Sequence, residues 1–106
     1  MDEREYAGRL LKMYCATPGT CGVVRRADCL LAAQLYQRGL PLIAVENALA
    51  LAAVRRLVRP DGAAPLPTIR SLAYFLPVID EVLATKVDPH YFQHIRSKLQ
   101  RLTTGQ

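Results

Sequence analysis

The chain has 106 residues, of which 51% are hydrophobic and 22% are charged, a composition that excludes a mostly disordered protein and indicates one globular domain. Lysine and arginine outnumber the acidic residues by 14 to 9, and the net charge of +5 permits contact with a polyanion such as nucleic acid. The charged start MDEREYAGR is unlike a signal peptide, and the apolar run at 48–54 is too short to cross a bilayer, so we expect a cytoplasmic protein with no membrane partner.

The first predicted element is a helix over about residues 3–14. Asp2 and Glu5 have the spacing of an N-terminal capping box, and three apolar residues recur at helical spacing, namely Tyr6, Leu10 and Met13. The next residues, ATPGTCG, contain two glycines and a proline and therefore end this helix. A second helix is predicted over about 25–38, and its apolar face is expected to consist of Ala27, Leu30, Leu31 and Leu35.

A turn leads into the third predicted helix, which continues to about Val58. Gly39 suits the positive φ that often follows a helix C-terminus, and Pro41 suits the first turn of the next helix. In the stretch PLIAVENALALAAV, only Glu46 and Asn47 are polar. A helix that is apolar nearly all round is buried, so we predict that this helix lies at the centre of the protein.

The stretch LYQRGLPLIAVENALALAAVRR has the layout of a DNA-binding helix-turn-helix, and the composition of the third helix tests this interpretation. A base-reading helix needs polar side chains near its N-terminus, and these are missing here. Glu46 would also repel phosphate. Both sides of the helix, that of Ile43 and that of Leu49, are therefore expected to face the core rather than a DNA groove.

The loop RPDGAAPLP separates this helix from the segment TIRSLAYFLPVIDEVLATK. Pro77 must kink or divide that segment, whose apolar residues recur at spacings of three and four: Ile69, Leu72, Leu76, Ile79 and Leu83. Asp88 and Pro89 begin the last predicted helix, which ends near Leu102, and residues 102–106 are predicted to be a frayed tail. No strand pattern competes, so residues 1–106 are predicted to form an all-α, compact single-domain bundle of about five helices with a buried central helix.

Basic residues concentrate in three places that are candidates for nucleic-acid binding: the start of the second helix, the end of the third, and the outer face of the last. On the last helix one stripe is apolar (Phe92, Ile95, Leu99 and Leu102). The opposite face is basic and rich in hydrogen-bonding groups. The candidate contacts are Arg25, Arg26, Arg55, Arg56, Arg59, His90, His94, Arg96, Lys98 and Arg101. Helix capping and an ordinary solvated face are the structural alternatives for these charges.

Motifs for catalysis and for metal binding are not found in the sequence. It contains no P-loop, no GxGxxG and no GxSxG motif. His90 and His94 are four residues apart, but no HExxH pattern and no third ligand accompany them. The three cysteines, Cys15, Cys21 and Cys29, are interpreted as free thiols. We therefore expect neither an enzyme nor a site for a cofactor or metal.

Residues 35–83 resemble the helical C-terminal domain of DnaD-type replication-initiation proteins from bacteria and their mobile elements. The resemblance rests on GLPLIAVENALALAAVRR, then a loop, and then IRSLAYFLPVIDEV with its Tyr74–Phe75 pair. In that family a tyrosine followed by hydrophobic residues packs a late helix against the core, and residues beyond it contribute to DNA binding. The resemblance implies a packing role for Tyr74, Phe75 and Ile79, and DNA contacts from the last helix.

Two functional hypotheses follow from these observations. The first is a small basic DNA-binding accessory protein in replication or mobile-element maintenance, which contacts phosphates with weak sequence preference. The alternative is a protein–protein interaction module, a homo-oligomer, or a non-catalytic subunit of a larger complex that binds RNA or single-stranded DNA. Under this alternative, the interface is expected to be formed by exposed apolar residues, namely Tyr14, Val23, Val24 and Tyr36.

Overall fold

Five α-helices and one 3-10 helix follow one another along the chain in the computed structural model, which describes residues 1–85 and 89–103. The helices are α1 (Glu3–Ala16), α2 (Arg26–Gln37), α3 (Leu42–Leu57), the 3-10 helix (Leu72–Phe75), α4 (Leu76–Ala84) and α5 (Pro89–Thr103). Within these residues the only β-type pairing is an isolated bridge between Thr20 and Ile69. The predicted all-α helical bundle is confirmed. No helix in this part of the chain has the length and apolar character needed to cross a membrane.

Helices α1 and α2 form an antiparallel pair. The Asp2 carboxylate accepts a hydrogen bond from the Glu5 amide at 2.8 Å and so begins α1 where the sequence predicts. At the same end of the pair, Gln37 near the end of α2 donates to Glu3. The Tyr6 hydroxyl donates to the Leu40 carbonyl at 2.9 Å, which ties α1 to the turn after α2. The loop between the two helices therefore lies at the opposite end of the molecule.

The buried face of α2 differs from the predicted one. Asp28, Ala32 and Leu35 are buried, whereas Ala27 is exposed and Leu30 is 55% exposed. Relative to the predicted orientation, α2 is rotated so that Asp28 faces the core. There its carboxylate accepts hydrogen bonds from two backbone amides. Of the four residues predicted to face the core, Leu35 is fully buried and Leu31 is half-buried.

The turn between α2 and α3 confirms the prediction made from its glycine. Gly39 has φ of 77°, and its amide donates to the Tyr36 carbonyl at 2.9 Å. The Leu40 amide then donates to the Leu35 carbonyl at 3.2 Å, which satisfies a further carbonyl at the helix end. Pro41 occupies the N-cap of α3, one residue before the predicted first-turn position.

Helix α3 is the central helix of the bundle, as predicted. It packs against α1, α4 and α5. Its buried residues are Leu42, Val45, Ala48, Leu49, Ala50, Leu51, Ala52, Ala53 and Val54. The prediction was wrong for Ile43, which is 53% exposed. This side chain lies in the first turn of α3, at the edge of a shallow groove with Asn47 and Phe92, where α5 covers the helix only in part.

Pro77 divides the fourth predicted segment, as expected. The 3-10 helix precedes it, and α4 carries the proline in its first turn, where the missing N–H breaks no helical hydrogen bond. Residues 68–71 are not helical, because Ile69 pairs through its backbone with the α1–α2 loop. Of the predicted apolar set, Leu83 is exposed, whereas the neighbouring Val82 packs against the core.

Helix α5 packs on α3 through Phe92 and Ile95, as its apolar stripe predicts. The predicted cap at Asp88 lies outside the described residues. Leu102 and Thr103 still belong to the helix, so the tail predicted to begin at residue 102 is helical at its start, and residues 104–106 are outside the described part. Leu102 is 42% exposed because this last turn extends past the core.

Candidate nucleic-acid interface

A buried carboxylate organises the start of α2. Asp28 is 2% exposed, and its Oδ2 accepts from the Arg25 amide at 3.0 Å. Its Oδ1 accepts from the Leu72 amide at 2.9 Å, although Leu72 is 44 residues further along the chain. One side chain thus joins the N-terminus of α2 to the 3-10 helix. Asp28 was not predicted from the sequence. The one indication is its position three residues after Arg25, since acidic residues favour the first turn of a helix.

The α1–α2 loop joins the same region through backbone hydrogen bonds. The Ile69 amide donates to the Gly19 carbonyl at 2.8 Å, and the Cys21 amide donates to the Ile69 carbonyl at 2.9 Å. These bonds and those of Asp28 hold residues 19–25 beside residues 69–72. Arg70 is exposed and is brought to the same end of the molecule as Arg25. Arg70 was not predicted as a contact, because only this tertiary pairing places it there.

We call the surface formed by Arg25, Arg26 and Arg70 the basic end. All three residues are exposed, and within residues 1–85 and 89–103 none of them makes an ion pair with an acidic side chain. Residues 6–27 and 62–79, which supply most of this region, contain no Asp or Glu, and the adjacent carboxylate of Asp28 is buried and bonded to backbone amides. The acidic start of α1 lies at the far end of a 14-residue helix, which is about 20 Å long.

The arginines at the N-terminus of α2 oppose the usual electrostatic preference of a helix. Arg25 is the N-cap residue and Arg26 is the first helical residue. The partial positive charge at a helix N-terminus disfavours cations there by about 0.3–1 kcal/mol each. The Asp28 carboxylate in the first turn of the same helix offsets part of this cost, but it is buried and the two arginine side chains are exposed. An anion that binds these guanidinium groups would reverse the sign of the interaction.

The arginines at the end of α3 are used within the protein. Arg55 forms an ion pair with Glu81 of α4, with its Nη1 at 3.0 Å from Oε1 and a second bond from Nη2 to Oε2. The hydrogen bond from Arg55 lowers the pKa of the Glu81 carboxyl, and the same bond raises the pKa of Arg55. The positive charge of Arg55 is therefore largely neutralised by its neighbour.

Arg56 and Arg59 support the loop that follows α3. Arg56 donates to the Pro67 carbonyl at 2.8 Å and to the Tyr74 hydroxyl at 3.2 Å. Arg59 donates to the Ala64 carbonyl at 2.6 Å. A Cβ at Gly19 would lie 3.1 Å from Arg56 Nε, so glycine allows the guanidinium to approach the α1–α2 loop. Arg56 thus borders the basic end, whereas Arg59 is directed to its own loop.

The outer face of α5 is only partly as predicted. His90, His94 and Arg101 are exposed, and Lys98 is half-buried. Arg96 was expected to face outward with them, but its Nη2 donates to Asn47 Oδ1 on α3 at 2.6 Å. The position of Arg96 on the flank of the helix, next to the stripe that packs on α3, explains this direction.

The C-terminal part of α5 lies close to the basic end. A groove of about 280 Å³ runs between it and the end of α1, and its lining includes Met13, Ala16, Pro18, Leu99, Gln100 and Thr103. Pro18 directly precedes Gly19, which pairs with Ile69. Arg101 is exposed but is not among the residues that line this groove.

Tyr14 lies beneath this surface in the core. Its hydroxyl is buried and has no hydrogen-bond partner among the described residues. Burial raises the pKa of Tyr14 to about 12, and the Asp28 carboxylate adds to the effect, because its negative charge opposes a phenolate. The Cys21 side chain lies nearby and contributes to the same rise in pKa. Burial of the Tyr14 hydroxyl without a hydrogen-bond partner lowers the stability of the folded protein.

Within the described residues, no three side chains of histidine, cysteine, aspartate or glutamate are grouped as metal ligands would be. The three cysteines are free thiols. The packing role that the DnaD resemblance implies is seen for Phe75 and Ile79, which are buried, but not for Tyr74, which is 46% exposed.

No protein-family model, curated protein or solved structure matches the chain. The DnaD resemblance accordingly stays a prediction, and a function for this protein has to be inferred from the charges and contacts of the basic end.

Proposed function

We propose that this protein is a small DNA-binding accessory protein that contacts phosphates through the basic end. Arg25, Arg26 and Arg70 are the proposed contacts. A role in replication or in mobile-element maintenance, in the cytoplasm, is the setting that the DnaD resemblance suggests. Arg55, Arg59 and Arg96 are not part of the proposed contact, because each has a partner within the protein.

The observation that carries the proposal is the unpaired arginines at the N-terminus of α2. A phosphate at this position is attracted by the guanidinium groups, whereas the Arg25 amide already donates to Asp28. Such contacts fix position on the nucleic acid and carry no sequence information. Among the described helices, none is a polar recognition helix that protrudes toward a groove, so weak sequence preference is expected.

The proposal is tested by fluorescence anisotropy with a labelled DNA over a series of salt concentrations. Three phosphate contacts predict a slope of log K against log salt of about −2.7 for duplex DNA. The double variant Arg25→Gln/Arg26→Gln should make this slope shallower by about 1.8. Binding that does not depend on salt, or that both substitutions leave unchanged, would refute the proposal.

A matched control removes the same number of charges at the opposite end. Arg4 and Arg38 are both exposed and lie with the acidic start of α1. Arg4→Gln/Arg38→Gln should therefore retain the affinity and the salt slope of the wild-type protein. An equal loss in both double variants would show that net charge, and not the basic end, determines binding. Arg55→Gln should also have little effect, because that charge is paired with Glu81.

A protein–protein interaction module is the second candidate, supported by exposed apolar residues beside the same loop. Val23, Val24 and Leu30 are 53%, 38% and 55% exposed. Two other residues expected at this interface are excluded, because Tyr14 is buried and Tyr36 is half-buried against α1. Light scattering after size exclusion tests the self-associating form of this candidate: an oligomer that Leu30→Glu converts to a monomer would support it.

A further inference from the structure

The ring of Tyr74 is held at the surface by its neighbour in the 3-10 helix. Phe75 is fully buried, whereas Tyr74 is 46% exposed. The two rings meet edge to face, with centroids 5.2 Å apart and planes at 80°. The Ser71 hydroxyl accepts from the Ala73 amide at 3.1 Å and caps this short helix. Tyr74 is therefore carried on a backbone that is fixed by the core.

Arg56 holds the same ring from a second direction. Its Cζ lies 5.6 Å from the centroid of Tyr74, and its Nη1 donates to the hydroxyl. Its Nη2 is bonded to the Pro67 carbonyl, so the guanidinium is itself fixed. A ring that is already oriented loses little conformational entropy when a ligand binds to it.

The surroundings of Tyr74 suit an anionic ligand with a flat apolar part. Residues 62–79 contain no acidic side chain, and the exposed Arg70 precedes Tyr74 by four residues. Arg56 places a further cation against the ring. An aromatic plane beside cations stacks well on a nucleobase, and the stacking does not depend on which base it is. A base inside a duplex is stacked on both faces already, so the partner base must be unpaired.

We infer that Tyr74 is a stacking platform for an unpaired base, so that the nucleic acid bound by the basic end is single-stranded at this point. The inference rests on the proposed function and adds the class of nucleic acid. It assigns the phosphates to Arg70 and the arginines at the start of α2, and one base to the partly exposed ring of Tyr74.

A tryptophan in place of Tyr74 reports on stacking directly. The chain has no tryptophan, so Tyr74→Trp introduces a single fluorophore at the proposed platform. Titration with an oligothymidylate of about 16 nucleotides should quench its fluorescence. A matched abasic strand has the same phosphates and no bases, and it should bind with little quenching. Equal spectra with the two strands would overturn the inference.

Affinity measurements distinguish the contribution of the aromatic ring of Tyr74 from that of an apolar side chain of similar size. Tyr74→Leu keeps an apolar side chain but removes the ring, and it should weaken binding of the single strand by about 5- to 150-fold. Tyr74→Phe keeps the ring and should stay within about twofold of the wild type, which also controls for loss of the hydroxyl contact with Arg56. Duplex affinity should be unchanged in both variants, and circular dichroism should confirm that both are folded.

The outcomes distinguish failure of this inference from failure of the proposed function. If strands and duplexes bind with a steep salt dependence and Tyr74→Leu changes neither, the inference is wrong and the proposed function stands. If neither a single strand nor a duplex binds at low salt, both are wrong. A loss confined to the single strand in Tyr74→Leu supports both.

Discussion

The buried hydroxyl of Tyr14 allows a quantitative test of the core. An unsatisfied polar group costs about 1–3 kcal/mol to bury, and Tyr14→Phe removes that group. The substitution keeps the ring, which meets Phe75 edge to face with centroids 6.1 Å apart. We therefore expect Tyr14→Phe to raise the free energy of unfolding at neutral pH by about 1 kcal/mol.

Alkaline pH should enlarge this difference. The pKa of Tyr14 is about 12 in the folded protein against 10.0 for an ordinary tyrosine, so the unfolded chain loses its phenolic proton first. The wild-type protein keeps the corresponding stability below pH 10 and loses it as the pH rises through about 12. At pH 11 a shift of this size implies a loss of about 1.4 kcal/mol, which the phenylalanine variant does not undergo.

Urea unfolding followed by circular dichroism at pH 7 and pH 11 measures both effects. Tyr6→Phe is the matched control, because the Tyr6 hydroxyl donates to the Leu40 carbonyl and its removal should cost about 1 kcal/mol at pH 7. The two substitutions should thus have opposite signs. A Tyr14→Phe variant that is less stable than the wild type at pH 7, or whose advantage is the same at both pH values, would refute the reasoning.

Four further predictions concern stability. Gly39→Val should lower the free energy of unfolding by about 1–3 kcal/mol, because its φ is 77°; Gly8→Ala, in the exposed middle of α1 with open space around it, should raise it by about 0.5–1 kcal/mol. Asp28→Ala should lower it by about 3 kcal/mol in urea unfolding, since two amides lose a charged acceptor, and a loss under about 1 kcal/mol would contradict that role. Glu81→Gln should slightly lower the Tm at pH 7 but not in acid, because pairing with Arg55 lowers the pKa of Glu81 and its contribution is lost as the pH falls through that value.

The helices of this fold could be predicted because glycine and proline mark their ends. Gly39 and Pro77 act locally, through allowed φ values and a missing N–H, and their effects do not depend on distant residues. The buried face of α2 could not be predicted in the same way. The apolar pattern favours Leu30, but Asp28 is buried because its carboxylate has a backbone partner, the Leu72 amide, 44 residues away.

The candidate site was less predictable than the fold for the same reason. An arginine in a sequence does not reveal whether a carboxylate or carbonyl will lie beside it. Glu81 neutralises Arg55, and Asn47 draws Arg96 inward, while Arg70 is left exposed. Each of these outcomes depends on tertiary contacts between segments that are far apart in the chain.

The Asp28 carboxylate also has a consequence for the two proposed contacts. It fixes the spacing between the start of α2, where the backbone of the nucleic acid is proposed to rest, and the turn that carries Tyr74. The distance between these two contacts is therefore fixed. A strand that binds both must place a phosphate and a base at that distance from each other. Any selectivity of this protein would then arise from the flexibility and curvature of the strand, and not from recognition of its base sequence.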